Sequence, residues 1–191
     1  MDSSIEIRAI RQILASGVNT QAWPGSVGDY QIDQSPFELA KLCQFIVDAE
    51  VKTYLEVGLG YGGTWTLLTD IFKFRVSCGI SHYRQEPWHQ PENGIALFDD
   101  SQSEAALEFA LYHGPFDFIF IDATHDHEVV LQDWRRYAPL GRYIGFHDIA
   151  GLYGCTGSQT SWEVIKASAE VLATIIDVYW PTGIGVVRGT A

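Results

Sequence analysis

The chain has 191 residues, 47% of them hydrophobic, which is the composition of a globular protein with a sizeable core and not of a disordered chain. Its 24 acidic and 12 basic side chains give a formal net charge of −12. This charge argues against nucleic acid or an anionic membrane surface as the main partner, because both require a positive face. The three cysteines are scattered without metal-ligand spacing. The N-terminus is polar, and no apolar run reaches membrane-spanning length. These three features predict a cytoplasmic protein.

The first 34 residues are predicted to form an extension of the main domain. Residues 1–15 place aliphatic side chains at helical spacing, and residues 16–34 form a loop with several glycines. Ser35 then has the position of a helix N-cap, with Pro36 as the first helical residue. We therefore expect one domain over residues 35–191 that begins with a helix.

Beyond this helix, short apolar runs alternate with helical patterns, which predicts right-handed β-α-β units on a parallel sheet. The last two apolar runs are separated by a short Pro/Gly turn around Thr182, so we expect a hairpin whose final strand is antiparallel. The predicted strands are residues 53–57, 74–80, 95–98, 116–121, 141–147, 173–180 and 183–188, and the helices between them are 64–72, 103–112, 125–137 and one from about residue 161. The expected fold class is a Rossmann-like, doubly wound α/β domain: a mostly parallel seven-stranded sheet with a C-terminal antiparallel strand and helices on both faces.

Glycines crowd the end of the first predicted strand, in the stretch EVGLGYGGT. Glycines there tolerate positive φ and let the backbone come close to a ligand, and ligands of such sheets bind at the carboxyl ends of the strands. Gly58, Gly60 and Gly63 also satisfy the dinucleotide pattern G-x-G-x-x-G, which is a weak signal by itself. The plain alternative is a tight strand-to-helix turn.

Ionisable residues follow the fourth and fifth strands. Asp122 ends the fourth strand, and His147 and Asp148 end the fifth. Neighbouring strands lie about 4.8 Å apart, so these side chains can share one cation. Carboxylates suit Mg²⁺ or Mn²⁺, and a histidine ligand shifts the preference towards Mn²⁺, Fe²⁺ or Zn²⁺. The alternative is that the two aspartates cap the helices that follow.

Five motifs in the right order give the chain a resemblance to the class I S-adenosylmethionine-dependent methyltransferases, over about residues 35–187. The motifs are YLEVGLGYGGTW, IALFDDS, FDFIFIDATH, YIGFHDI and GIGVV. The third and fourth resemble the metal-dependent O-methyltransferase branch, and the last resembles the cephalosporin-hydroxylase-like and macrolide sugar O-methyltransferases.

The resemblance implies a cofactor site for S-adenosylmethionine at the tips of the strands. Its residues would be Glu56, Gly58, Gly60, Gly62 and Asp122, with Ser81 near the ribose and with Asp100 and Ser101 near the adenine. One departure concerns the second strand, where the family has an acidic residue that binds the ribose. Ser81 can hydrogen-bond a hydroxyl there, but without the charge of a carboxylate.

The resemblance also implies a general base, His125, three residues after Asp122. A histidine with a pKa near neutrality can take the proton of a hydroxyl while the methyl group is transferred. The expected function is thus metal-assisted methyl transfer from S-adenosylmethionine to a hydroxyl of a small molecule or sugar, in a protein that could form a homo-oligomer. Two alternatives stay open: a non-catalytic cofactor-binding domain of the same fold and a dinucleotide-binding oxidoreductase.

Overall fold

The computed structural model describes residues 26–27, 30–32 and 34–191. The helix predicted at residues 1–15 lies outside these residues. Within the predicted loop, β1 (Ser26–Val27) and β2 (Tyr30–Gln31) pair as a short antiparallel ribbon. The domain boundary at residue 35 stays a prediction.

The predicted seven-stranded sheet is confirmed. Its strands are β3 (Thr53–Val57), β4 (Val76–Ser81), β5 (Gly94–Phe98), β6 (Phe116–Ile121), β7 (Gly141–Phe146), β8 (Val171–Ile175) and β9 (Ile184–Arg188). They are arranged in the order β5-β4-β3-β6-β7-β9-β8. Six strands run in one direction, and β9 runs antiparallel between β7 and β8.

Helices cover both faces of the sheet, as predicted. They are α1 (Pro36–Asp48), α2 (Gly63–Phe72), α3 (Glu104–His113), α4 (His127–Tyr137) and α5 (Thr156–Ser168). Successive residues of a strand point to opposite faces, so Tyr54 packs with α1 and α2 whereas Leu55 packs with α3, α4 and α5. Among the described residues, no helix is long and apolar enough to cross a membrane.

Several element boundaries differ from the prediction. The side chain of Asp126 accepts hydrogen bonds from Glu128 N and Val129 N at 3.0 and 3.2 Å, so α4 begins at His127 and not at residue 125. Helix α5 begins at Thr156, five residues before the predicted start. Strand β8 ends at residue 175, and the stretch predicted to continue it is a loop that returns to α1.

Candidate functional site

The carboxyl ends of the three central strands bring the predicted site residues together. Val57 of β3 is in register with Ile121 of β6, and Ile121 is in register with Phe146 of β7. Backbone hydrogen bonds continue this alignment beyond the strands: Asp122 N donates to Val57 O at 2.7 Å, and His147 N donates to Ile121 O at 3.2 Å. The side chains that follow each strand therefore meet at one edge of the sheet.

The three predicted metal ligands lie side by side at this edge. His147 Nδ1 lies 3.2 Å from Asp122 Oδ1 and 3.2 Å from Asp148 Oδ2. One ligand atom from each of the three side chains falls within 4.8 Å of the other two. His147 and Asp148 are buried, whereas Asp122 is half-buried. The three side chains thus face a common point at the floor of a cleft.

Asp148 also holds His125. The ring Nε2 of His125 lies 2.7 Å from Asp148 Oδ2, and about half of the His125 side chain is exposed. Because α4 begins later than predicted, His125 belongs to the loop before the helix and not to its first turn. Asp148 has a φ of 58°, a left-handed conformation that is uncommon outside glycine and that clusters at functional sites.

Opposite charges alternate through this cluster. Burial opposes the charged form of His147, but the two neighbouring carboxylates raise the pKa of His147 well above its ordinary value. The hydrogen bond with Asp148 raises the pKa of His125. Burial would raise the pKa of Asp148, but hydrogen bonds from His125 and His147 outweigh that effect and lower the pKa below its usual range. Each charge is therefore stabilised by its neighbours.

Glu56 lies in the wall of the same cleft. The side chain is fully buried at the carboxyl end of β3, and the Tyr54 hydroxyl donates a hydrogen bond to Glu56 Oε2. Burial raises the pKa of Glu56 well above its ordinary value, and the negative charge of Asp122 adds to this effect. A buried acid with one hydrogen-bond donor is suited to receive a further donor or a positive charge from a ligand.

Two adjoining cavities open along this edge of the sheet. One, of about 330 Å³, contains the cluster around His147 and is called here the acid–histidine compartment. The other, of about 390 Å³, lies over the ends of β4 and β5 and is called the β4–β5 compartment. Their linings share Gly58, Gly60 and Asp122, so the two cavities form one continuous cleft.

The predicted cofactor-binding glycines differ in what surrounds them. A Cβ on Gly58 would lie 2.2 Å from the Asp122 carbonyl oxygen, and a Cβ on Gly62 would lie 2.0 Å from the His89 carbonyl oxygen. Both glycines therefore allow close contact between backbone segments, and Gly62 lines neither of the two cavities. Gly60, with a φ of +51°, has no atom of the described residues within 4 Å of its Cβ position and lines both cavities, so the free space beside it belongs to the cleft.

The β4–β5 compartment contains the three residues predicted to lie near the ribose and the adenine. Ser81, Asp100 and Ser101 all line it. The Ser81 hydroxyl donates to the Tyr83 carbonyl oxygen at 3.1 Å. The Ser101 hydroxyl donates to Asp133 Oδ2 at 3.2 Å, which fixes the loop after β5 against α4.

Several residues in the cleft or next to it were not predicted from the sequence. Gln34 Nε2 donates to Asp122 Oδ2 at 3.1 Å, and Gln34 Oε1 is buried without a hydrogen-bond partner among the described residues. Cys155 lines the acid–histidine compartment beside Asp148. Thr182 Oγ1 lies 3.2 Å from Nε2 of His147, the ring nitrogen that does not face Asp122. These residues precede α1 or follow β7, and no local sequence pattern signals their contact with the strand ends.

The chain shares its fold with known methyltransferases, although no known protein-family profile and no curated protein sequence matches it. It is similar to the MycE methyltransferase of the mycinamycin biosynthetic pathway, solved with Mg, SAH and mycinamycin VI, at 16% identity and a TM-score of 0.59. That similarity covers 78% of this chain and 48% of MycE, so the chain spans about half the length of MycE.

Two further solved structures match nearly the whole chain. An O-methyltransferase from Bacillus cereus in complex with SAH has 15% identity and a TM-score of 0.57, over 98% of this chain and 92% of that one. TomG, an O-methyltransferase from Streptomyces achromogenes in complex with SAM, has 12% identity and a TM-score of 0.58, over 100% and 92%. The chain therefore has the α/β fold of the class I O-methyltransferases, which confirms the fold that the resemblance predicted.

Proposed function

We propose that the protein transfers a methyl group from S-adenosylmethionine to a hydroxyl of a small molecule, with a divalent cation in the same site. The observation that carries this proposal is the two-part cleft. Its β4–β5 compartment and the space beside Gly60 can accept a nucleoside and a thioether chain, and its acid–histidine compartment places a base and a cluster of ligands next to them. Both volumes lie in the usual range of small-molecule sites, roughly 300–1,000 Å³.

The cofactor would lie across both compartments. S-adenosylmethionine supplies the methyl group, which is bonded to a positively charged sulfur. Glu56 and the backbone at Gly58 and Gly60 would hold its methionine part, and Asp122 lies where the two compartments join. Ser81 still has acceptor capacity for a ribose hydroxyl, because its own hydrogen is given to Tyr83.

The adenine would lie near Asp100 and Ser101. Both residues are in the lining of the β4–β5 compartment, beside Ser81. Asp100 Oδ2 lies 4.0 Å from Nδ1 of His82, the residue that follows β4. In the resembling enzymes the ribose-binding acid is at the end of that strand. Asp100 can thus supply the charge that Ser81 lacks.

The donor set fits a divalent cation. Asp122, His147 and Asp148 offer two carboxylates and an imidazole within reach of one point, and this mixture suits Mn²⁺ while it accepts Mg²⁺. The amide nitrogen of Gln34 donates to Asp122, and the buried oxygen of the same amide, which has no hydrogen-bond partner among the described residues, is a further acceptor near this ligand. A bound cation would lower the pKa of a hydroxyl brought to it.

His125 is the group we assign as general base. Its Nε2 contacts Asp148, so Nδ1 is the ring nitrogen left to accept the hydroxyl proton. Asp148 orients the ring and stabilises the imidazolium that forms, as a carboxylate does for the base in other acid–base pairs. The half-exposed position of His125 at the edge of the compartment leaves room for a substrate.

The strand order separates this proposal from a dinucleotide-dependent oxidoreductase. Dinucleotide-binding sheets have six parallel strands in the order 3-2-1-4-5-6. Here the antiparallel β9 is inserted between β7 and β8, as the seventh strand of the sheet. The glycine pattern alone therefore does not favour NAD.

Calorimetric titration tests the proposal directly. We expect S-adenosylmethionine to bind and NAD not to bind, and we expect Mn²⁺ to bind the wild-type protein. Asp148→Asn should weaken Mn²⁺ binding, because it removes the charge of one ligand, while binding of S-adenosylmethionine should stay near the wild-type level. Failure of the wild type to bind Mg²⁺ or Mn²⁺ at millimolar concentration would remove the cation from the proposal, and failure to bind S-adenosylmethionine would remove the activity.

A further inference from the structure

A buried hydrogen-bonded chain connects α1 to the acid–histidine compartment. Thr182 Oγ1 lies 2.6 Å from Glu38 Oε2 and 3.2 Å from His147 Nε2. Glu38 and Thr182 are completely buried, and neither lines the cleft. His147 in turn faces the cleft through its other ring nitrogen, Nδ1, which lies 3.2 Å from each of two carboxylates. Thr182, which lies outside the cleft, thus contacts the ring nitrogen of His147 that faces away from the carboxylates, and Glu38 contacts Thr182.

The direction of the hydrogen bonds in this chain follows from counting hydrogens. Asp177 N donates to Glu38 Oε1 at 2.8 Å, and Gly183 N donates to both Glu38 oxygens at 3.0 and 2.9 Å, so Glu38 acts as an acceptor. A threonine hydroxyl has one hydrogen, and Thr182 gives it to Glu38. Thr182 can then only accept at its other contact. The hydrogen of the contact with His147 must therefore be on His147 Nε2.

The position of that hydrogen decides what His147 can do. With Nε2 protonated and bonded to Thr182, the nitrogen available for a ligand is Nδ1, which faces Asp122 and Asp148. Histidines that bind metals usually donate the hydrogen of the other ring nitrogen to a neighbouring acceptor, which fixes the tautomer and the ring orientation. The chain from Glu38 through Thr182 has this arrangement.

We propose that Glu38 and Thr182 are positioning residues, which keep a hydrogen on His147 Nε2 and so present Nδ1, together with Asp122 and Asp148, to a divalent cation. This inference rests on the cation site proposed above. It goes beyond that site because it assigns the affinity for the cation partly to two residues that do not touch it.

A purely structural role is the competing explanation. Glu38 also joins the loop 176–183 to α1, since it accepts from two backbone N–H groups of that loop. If its contribution ended there, substitutions in the chain would lower the stability of the fold and leave the affinity for a cation unchanged in the folded protein. The readout must therefore be the cation affinity of protein shown to be folded.

The decisive experiment is a Mn²⁺ titration in which free Mn²⁺ is measured by electron paramagnetic resonance. Thr182→Val removes the hydroxyl with little change in shape, and we expect it to raise the Kd for Mn²⁺ by about 10–100-fold. Thr182→Ser keeps the hydroxyl and should restore a Kd close to that of the wild type. Thr69→Val is the matched control, because it also removes a buried, hydrogen-bonded hydroxyl, but one that contacts Trp65 and Ser77. Its Kd should equal that of the wild type.

Glu38→Gln provides a second variant of nearly the same shape. The amide oxygen would keep the two N–H donors at the Oε1 position, so the amide nitrogen would face Thr182 and donate to it. The Thr182 hydrogen would then turn to His147 Nε2, and the histidine hydrogen would move to Nδ1. We expect weaker Mn²⁺ binding here too, and ¹⁵N NMR of labelled histidines, recorded at a pH where the His147 ring is neutral, should show the change of tautomer.

The outcomes separate the two proposals. Thr182→Val that is folded, as judged by circular dichroism, and binds Mn²⁺ with the wild-type Kd would overturn the positioning role alone. If Thr182→Val does not fold, an unchanged Kd and an unchanged histidine tautomer in Glu38→Gln would overturn it equally. Wild-type protein that binds no Mn²⁺ would overturn the cation site and this inference together, whereas the titration with S-adenosylmethionine would still decide the methyltransferase activity.

Discussion

The two compartments of the cleft are built in different ways. The acid–histidine compartment is defined by side chains that hydrogen-bond to one another, from the buried His147 to His125 at the opening, and Thr182 and Glu38 support His147 from outside the compartment. The β4–β5 compartment is defined by loops, and part of its wall, such as Tyr83, is exposed. The first can impose orientation and charge on a reacting group. The second can bind, by shape and hydrogen bonds, the part of a ligand that does not react. Substitutions in the two should therefore affect different measurements, turnover in one and affinity in the other.

The largest effect is expected at the glycine loop where the compartments meet. Gly60→Val would place a branched side chain in the free space of the cleft, and we expect binding of S-adenosylmethionine to fall below detection in calorimetry. The thermal unfolding of the variant should be measured alongside.

Strain at the positive φ of Gly60 needs a control of its own. Gly154 has a φ of +89°, also has open space at its Cβ position and lines neither compartment. Gly154→Val should carry comparable strain and bind S-adenosylmethionine as the wild type does. Wild-type affinity in a folded Gly60→Val protein would show that the cofactor does not occupy the cleft.

A second large effect, this time on turnover, is expected from a substitution in the acid–histidine compartment. His125→Ala removes the group that accepts the hydroxyl proton, and we expect turnover to fall by about 10²–10⁴. The affinity for S-adenosylmethionine should change little, because His125 lines the acid–histidine compartment and not the β4–β5 compartment. The measurement is transfer of a labelled methyl group to an acceptor found by screening catechols and sugars.

His113→Ala is the matched control for this experiment. His113 ends α3 and packs against Phe109 and Tyr112, away from the cleft. The His113→Ala variant should retain full turnover. Equal turnover of wild type and His125→Ala would exclude His125 as the base and leave water as the proton acceptor.

The sequence was sufficient for the parts of the site that follow from the sheet. Alternating strands and helices place Asp122, His147 and Asp148 at one edge whatever the details of packing, and the structure finds them there. The antiparallel pairing of the last two strands was also predictable, because a hairpin reverses the chain.

The sequence was not sufficient for residues whose partners are remote in the chain. Ser35 and Glu38 have the spacing of a capping box, which assigns the Glu38 carboxylate to the start of its own helix. In the structure Glu38 instead accepts from Thr182, 144 positions along the chain. Gln34 contacts Asp122 over 88 positions in the same way. Such contacts depend on how the loops close over the sheet, and no local pattern encodes them.

A buried carboxyl group with a raised pKa, that of Asp133, holds a residue that lines the β4–β5 compartment. Asp133 on α4 accepts from Ser101, and Gln102 also donates to its carboxylate. Asp133 is completely buried, and this burial raises the pKa of Asp133 to about 7, although the hydrogen bond from Ser101 opposes the rise. Its ionised form is thus disfavoured in the folded protein relative to the unfolded chain.

The sign of the resulting pH dependence follows from proton counting. Between the ordinary pKa of Asp133, 3.8, and the raised value of about 7, the folded protein binds the proton more tightly than the unfolded chain. The stabilisation that Asp133 provides is therefore complete below pH 3.8 and is lost as the pH rises through about 7. Since one pKa unit corresponds to about 1.4 kcal/mol, the loss between roughly pH 5 and pH 8 should be about 2–3 kcal/mol.

Asp133→Asn should remove this dependence, because an amide does not titrate in this range. Urea unfolding at pH 5 and pH 8 should show the wild type losing about 2–3 kcal/mol relative to the variant. Asp48→Asn, at an exposed carboxyl group that ends α1, should follow the wild-type curve. Parallel curves for wild type and Asp133→Asn would mean that the buried carboxylate is ionised at both pH values, held by Ser101 and Gln102.

Ionisation of Asp133 should also affect ligand binding in the β4–β5 compartment only. The affinity for S-adenosylmethionine should follow the protonation state of Asp133, whereas the affinity for Mn²⁺ should not.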